Sequence, residues 1–342
     1  MRGGLMKLIS AAIACILGSV CAWADPPPPV IDMHLHALDA AAQGPPPLAM
    51  CTPMTMPSWD PKEPYSDAYF RLFKKPDCDD PIWSPETNEA LLQRTLAVME
   101  ARNVYGVLSG TPALVGQWTE EAPDRFLRGL GFQLDGDSPS PDELVSMHRD
   151  GSLDVLAEIT TQYQGITPDD PRLEPYWSAL ERNDIPAGIH IGTGPPGVIY
   201  LGAENYRARM HSALTLEEVV VRHPKLRIYI MHAGYPLLDD LLAFLYAHPQ
   251  VYVEVGVIVF TQPKAAFYRY LKGVFDAGFG KRVMFGSDQM VWPETIDRGI
   301  QVITEAPFLT EDQKRDLLFW NATRFLRLPE EQIKRMHGEE SP

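Results

Sequence analysis

The chain has 342 residues, 45% hydrophobic and 22% charged, a balance that excludes a disordered chain, a coiled coil and a multi-span membrane protein. Its 30 Lys and Arg stand against 45 Asp and Glu, a formal net charge of −15, and no long basic tract offsets it. A phosphate backbone would be repelled, so nucleic acid is excluded as a default ligand.

Residues 1–24 read as a secretory signal peptide. Arg2 and Lys7 give a positive start, Leu8 to Val20 is an apolar run, and Ala22-Trp23-Ala24 supplies a small-x-small cleavage site. The run falls short of the roughly 20 residues of a spanning helix. The expectation is a periplasmic or secreted protein with no membrane association after cleavage. Cys15 and Cys21 leave with the signal, and the remaining Cys51 and Cys78 are expected to pair in an oxidising compartment.

Residues 25–342 read as one domain. After a stiff run of prolines, Val30-Ile-Asp-Met-His34 is the first strand. Residues 39–85 follow, rich in Pro, Asp, Lys and aromatics and without a sustained helical period. A loop this long in a compact domain is usually functional, and it is expected to be a lid. Tyr65, Tyr69, Arg71, Lys74 and Lys75 are its candidates for substrate contact.

Beyond the lid the chain alternates. Ser84-Pro85 opens a helix with apolar residues at Leu91, Leu92, Leu96, Val98 and Met99. Strands are expected over 104–108, 126–130, 154–159, 185–190, 226–231, 251–255 and 282–285. Helices are expected over 141–149, from Asp170-Pro171 to about Asn183, and over 216–222, 237–247 and 265–277. Two C-terminal helices end the chain, one opened by the capping box Thr310-x-x-Gln313. Eight β-rich runs alternating with helices predict a distorted (β/α)₈ TIM-type barrel, with a doubly wound open sheet as runner-up. No GxGxxG opens a helix, so the commonest cofactor of that sheet is absent.

His34-Leu35-His36 stands where the first strand ends, and side chains at i and i+2 of an extended segment share one side. His190 ends the fifth strand, His232 the sixth and Asp288 the eighth. All strand C-termini of a barrel open on one face, so these five residues should converge. Three histidines and an aspartate form a ligand set for a divalent ion, Zn²⁺ before others, with a position left for water. Each residue alone has a blander reading: a histidine bonded to a backbone carbonyl, or Asp288 as a helix cap. Glu158, at the end of the fourth strand, either faces the site or pairs with an arginine. His223 and His248 suit helix C-termini, His148 lies on a surface helix, His337 lies in a polar tail, and His211 is undecided.

Ile31-Asp-Met-His-Leu-His36 resembles the opening motif of the amidohydrolase superfamily. Residues 221–234, Met284-Phe-Gly-Ser-Asp288 and Asn321-Ala-Thr-Arg-Phe325 resemble its amidohydrolase-related branch, which includes aminocarboxymuconate-semialdehyde decarboxylase and pyrone-dicarboxylate lactonase. The resemblance implies a distorted barrel that usually binds one divalent metal through His34, His36, His190 and Asp288. It implies that His232 acts on the water or the substrate. Superfamily members with two metals bridge them through a fourth-strand Lys or Glu, so Glu158 leaves the metal count open. The expected function is a periplasmic hydrolase that uses a metal-activated water on a small ester, lactone or amide, with Asp288 and His232 catalytic. The alternatives are a non-oxidative decarboxylase of a small aromatic or unsaturated acid and a secreted metal-containing binding protein.

Overall fold

The computed structural model describes residues 27–339, so the signal-peptide reading lies outside the described residues. The strands are β1 (Val30–Ala37), β2 (Ala49–Met50), β3 (Ile82–Trp83), β4 (Val104–Gly110), β5 (Phe126–Arg128), β6 (Leu156–Ile159), β7 (Ala187–His190), β8 (Ile228–Met231), β9 (Tyr252–Glu254) and β10 (Val283–Met284). Parallel pairing runs β1-β4-β5 and β6-β7-β8-β9-β10. Backbone bonds bridge both seams between these two groups. Met33 N donates to Phe285 O at 2.9 Å and Asp288 N to His34 O at 2.7 Å. Phe132 N donates to Glu158 O at 2.8 Å and Thr160 N to Phe132 O at 2.8 Å. Eight parallel strands thus follow one another around a TIM-type barrel, each apolar because both of its faces are covered.

Two irregularities in that barrel decide where side chains point. β1 carries one extra residue against β4 between Asp32 and Leu35, and β6 carries one against β7 between Leu156 and Ile159. An extra residue shifts the alternation of faces. Before it, Ile31, Met33, Val155 and Ala157 join Val107, Tyr229, Met231 and Met284 in a buried cluster with Phe319, Ala322 and Phe325. After it, His34, His36 and Glu158 turn to the site instead. Gly188 belongs to the same device, since a Cβ there would lie 2.5 Å from the Tyr229 hydroxyl.

The lid differs from its expected form. It contains a helix, Tyr65–Lys74, and an antiparallel pair, β2 with β3. Ala68, Tyr69 and Phe73 bury one face of that helix, a period too short to stand out among the flanking prolines and lysines. Cys51 and Cys78 are joined by a disulfide. The next helix begins at Asn88 with Thr87 as its cap, three residues after the expected start. Ser84 extends the β2–β3 pair instead, accepting from Leu48 N at 3.0 Å through its hydroxyl. The fifth-strand helix begins at Glu174, and a helix over Pro112–Glu121 adds to those expected. Among the described residues no helix is long and apolar enough to cross a membrane.

Candidate active site

Five strand ends deliver six ionisable side chains to one buried point. His34 and His36 come from β1, Glu158 from β6, His190 from β7, His232 directly after β8 and Asp288 shortly after β10. Ring centroids lie 4.9 Å apart for His34 and His36, 5.2 Å for His34 and His232, and 4.4 Å for His190 and His232. The Asp288 carboxylate is 2.9 Å from His36 Nε2 and 3.7 Å from His34 Nε2. Glu158 stands between the two halves. Its Oε2 is 3.5 Å from His34 Nε2 and 3.8 Å from His36 Nε2. Its Oε1 is 3.7 Å from His232 Nε2 and 3.9 Å from His190 Nε2. All five residues expected from the sequence are brought together, and Glu158 faces the site rather than an arginine.

The ring nitrogens that face away are committed. His232 Nδ1 lies 2.9 Å from Gly256 O, which can only accept. His190 Nδ1 lies 3.0 Å from Gln162 Oε1, whose amide is oriented by Gly192 N and O at 3.3 and 3.0 Å. His34 Nδ1 lies 3.2 Å from Glu254 Oε1. In each ring Nδ1 therefore carries a proton and Nε2 points inward. The Nε2 atoms of His34 and His232 are buried without a hydrogen-bond partner. Among the described residues three groups have ligand atoms close enough to share an ion: His34, His36 and Asp288; Glu158, His190 and His232; and His34, His232 and Glu254.

The backbone is strained to make this arrangement. His232 (φ 60°), Ala233 (φ 49°) and Asp288 (φ 54°) all adopt the left-handed region, at a cost on the order of 1–3 kcal/mol per residue. Val257 (φ 56°, ψ −45°) is the centre of a γ-turn closed by Ile258 N on Gly256 O at 2.6 Å. That turn presents the Gly256 carbonyl to His232. Asp32 links the first strand to the last, accepting from His34 N and Ser287 N at 2.9 Å each.

Burial and mutual charge set the protonation states. Burial, and then the neighbouring His232, pushes His190 down to about 3. Burial works against the charged forms of His34, Glu158 and Asp288 as well, but mutual attraction prevails there. Asp288 and Glu158 hold His34 well above the imidazole range, His34 and His232 hold Glu158 well below the carboxylate range, and His34 and His36 lower Asp288. Burial raises Asp32 to about 7.

Four residues of the site escaped sequence reasoning: Asp32, Gln162, Tyr163 and Glu254. Glu254 had a signal, since it is a carboxylate inside the otherwise apolar run of the seventh strand. Tyr163 carries its hydroxyl 2.9 Å from His190 Nε2. Of the lid candidates, Tyr65 and Tyr69 are buried in an aromatic group with Trp59 and Tyr200. Arg71 pairs with Glu63 at 3.1 Å, Lys74 bonds the carbonyls of Pro45 and Pro47, and Lys75 is exposed. The other histidines lie outside the site. His223 sits between Glu174 and Glu181, His248 meets Glu217, His148 meets Leu153 O, and His211 meets the Tyr206 hydroxyl. His337 is packed against Phe319 and Trp320 rather than in a free tail.

A family model described as Amidohydrolase matches residues 31–328. No curated protein matches the chain. Among solved structures, an uncharacterized TIM-barrel protein from Bordetella bronchiseptica is similar at 16% identity and TM-score 0.56, covering 90% of this chain and 100% of that one. A 5-carboxyvanillate decarboxylase from Novosphingobium aromaticivorans, complexed with manganese and a nitrobenzoic acid, is similar at 15% identity and TM-score 0.54, with 88% and 96% covered. A probable 2-pyrone-4,6-dicarboxylic acid hydrolase from Acinetobacter baumannii is similar at 14% identity and TM-score 0.54, with 87% and 99% covered. At such identities the likeness is one of fold.

Proposed function

The chain belongs to the amidohydrolase family, and on that premise we propose that it is an exported, metal-dependent hydrolase of a small ester, lactone or amide. The observation that carries the reading is the pair of buried Nε2 atoms on His34 and His232 without a hydrogen-bond partner. A buried imidazole nitrogen without a hydrogen-bond partner is costly unless an ion or another polar group meets it, and these two stand beside the Glu158 carboxylate. The donor set of imidazoles and carboxylates suits Zn²⁺. His34, His36 and Asp288 would hold one ion. His190 and His232 would hold a second, with Glu158 turning one oxygen to each side.

Such ions supply Lewis acidity and bring the pKa of a water down to about 7. Asp288, lowered by His34 and His36, is placed to accept the proton of an attacking water and return it to the leaving group. Gln162, Glu254 and the Gly256 carbonyl keep the imidazoles in one tautomer and orientation. The lid decides what enters. Tyr65 anchors it by donating to Pro196 O at 2.5 Å, and its rings pack beside the loop that follows β7. Its two paired cations, Arg71 and Lys74, are engaged away from the site.

Metal analysis and an activity panel of esters, lactones and aromatic acids test the proposal. Two ions per chain and hydrolysis of esters, lactones or amides are expected. Release of CO₂ from aromatic acids without hydrolysis would make the enzyme a decarboxylase. Full metal content in His232→Asn would return the site to one ion on His34, His36, His190 and Asp288, with His232 left to the substrate oxygen.

A further inference from the structure

Tyr163 stands against His190, one of the six converging side chains, and is not itself one of them. It lies in the turn after β6, half-buried, and among the described residues its hydroxyl is the one hydrogen-bond partner of His190 Nε2, at 2.9 Å, nearer than the Glu158 carboxylate at 3.9 Å. Since His190 Nδ1 is committed to Gln162, Nε2 is the acceptor and the phenol is the donor. Nε2 is also the one atom His190 can offer to an ion. Metal and phenol therefore compete for the same lone pair.

The ring itself cannot leave. It stacks on Tyr206 with centroids 5.7 Å apart and planes at 21°, and it lies 4.7 Å from the His190 ring. Its far side is closed by Gly194, where a Cβ would come within 2.7 Å of the ring and its hydroxyl. Tyr206 is fixed in turn, donating to Gly192 O at 3.1 Å, accepting from Gly194 N at 3.2 Å and bonding His211 Nε2 at 2.6 Å. An ion about 2 Å from Nε2 cannot share that line with a hydroxyl at 2.9 Å, so the phenol tilts aside within this slot and its O–H turns with it. Once the lone pair of His190 is taken, the phenol proton must point to another acceptor in the open part of the site.

Resting on the hydrolase reading, we infer that Tyr163 is a catalytic residue whose hydroxyl moves its hydrogen bond from His190 to the carbonyl oxygen of the bound substrate and stabilises the oxyanion formed there. The phenol keeps its proton throughout and no covalent bond to it forms. The arrangement assigns each partner one role: Gln162 fixes the imidazole, Tyr206 fixes the phenol, and the phenol serves the substrate.

Tyr163→Phe tests this in two independent ways. In the first, apo wild-type protein and the variant are titrated with Zn²⁺ and followed by near-ultraviolet difference absorbance and chelator competition. The wild type should show a tyrosine difference signal on loading that the variant lacks, and the variant should bind Zn²⁺ equally or more tightly. An identical signal in both, or weaker binding in the variant, would overturn the inference. In the second, loaded enzymes are compared on an ester that the wild type hydrolyses. A loss of about 10²–10³-fold in kcat with KM nearly unchanged is expected, as for removal of one oxyanion donor. Unchanged kcat would overturn the role, and a lowered melting temperature with intact kcat would make the residue structural. If the wild type hydrolyses nothing, the hydrolase reading fails, while the titration still reports whether the phenol leaves His190.

Discussion

Replacing Glu254 by glutamine should weaken both the fold and metal binding, by amounts that can be worked out in advance. The side chain is completely buried, and its carboxyl oxygens meet three N–H groups: His34 Nδ1, His232 N and Gly256 N. Oε1 serves two of them, at 3.2 and 2.8 Å. Oε2 lies against Gly256 and Gly286, where an added Cβ would stand 2.7 and 2.0 Å away, so no other rotamer has room. Glutamine keeps the shape but must set its N–H₂ against one donor or another. A buried N–H left unmet costs about 1–3 kcal/mol. For a chain of this length that is a fall of roughly 2–6 °C in melting temperature, at about 2 °C per kcal/mol. Because the same carboxyl orients His34, metal affinity should fall about 10–100-fold. Thermal melts of the apo protein give the first quantity, and competition with a chromophoric chelator gives the second. A variant with unchanged melting temperature and unchanged affinity would refute the reasoning. A stability loss alone would confine Glu254 to the fold.

Two further outcomes are expected. Replacing both Cys51 and Cys78 by serine should lower unfolding free energy by about 3.5 kcal/mol, the chain-entropy value for their separation of 27 residues; denaturant titration reads this, and unaltered stability would mean that the lid unfolds apart from the barrel. His190→Ala should lose metal under mild chelation while His148→Ala, bonded to Leu153 O outside the site, keeps it. Full retention in His190→Ala would remove that residue from the ligand set.

The eight strands were legible because a strand covered on both faces is a short apolar run, and such runs need no knowledge of their partners. The ligand candidates were legible for the same local reason, as polar residues standing where those runs stop. The lid helix was not, since its ten residues, Tyr65–Lys74, give fewer than three turns of period among loop composition. Glu254 was marked only by being a carboxylate in an apolar run, and Tyr163 was hidden by a loop whose course depends on Gly194 and Tyr206, some 30 and 40 residues away along the chain.

The pair His34 and His36 shows where local reading stops. Spacing by two puts both imidazoles on one side of β1, yet it does not say which side. Without the extra residue between Asp32 and Leu35, the alternation that sends Ile31 and Met33 into the buried cluster would send the histidines outward against the helices. The same shift on β6 separates Ala157 in that cluster from Glu158 in the site. A bulge is a property of two strands paired with each other, fixed here by the register of β1 on β4 and of β6 on β7, so no motif within one strand can encode it. The site is therefore built twice: residue types are written at the strand ends, and their direction is set by pairing far away in the chain. The orphaned nitrogen of His34 follows from this construction, because the pairing that turns it inward also removes it from every acceptor and donor except those the site itself supplies, whereas His232 reaches the same point from the regularly paired β8 through its own left-handed backbone.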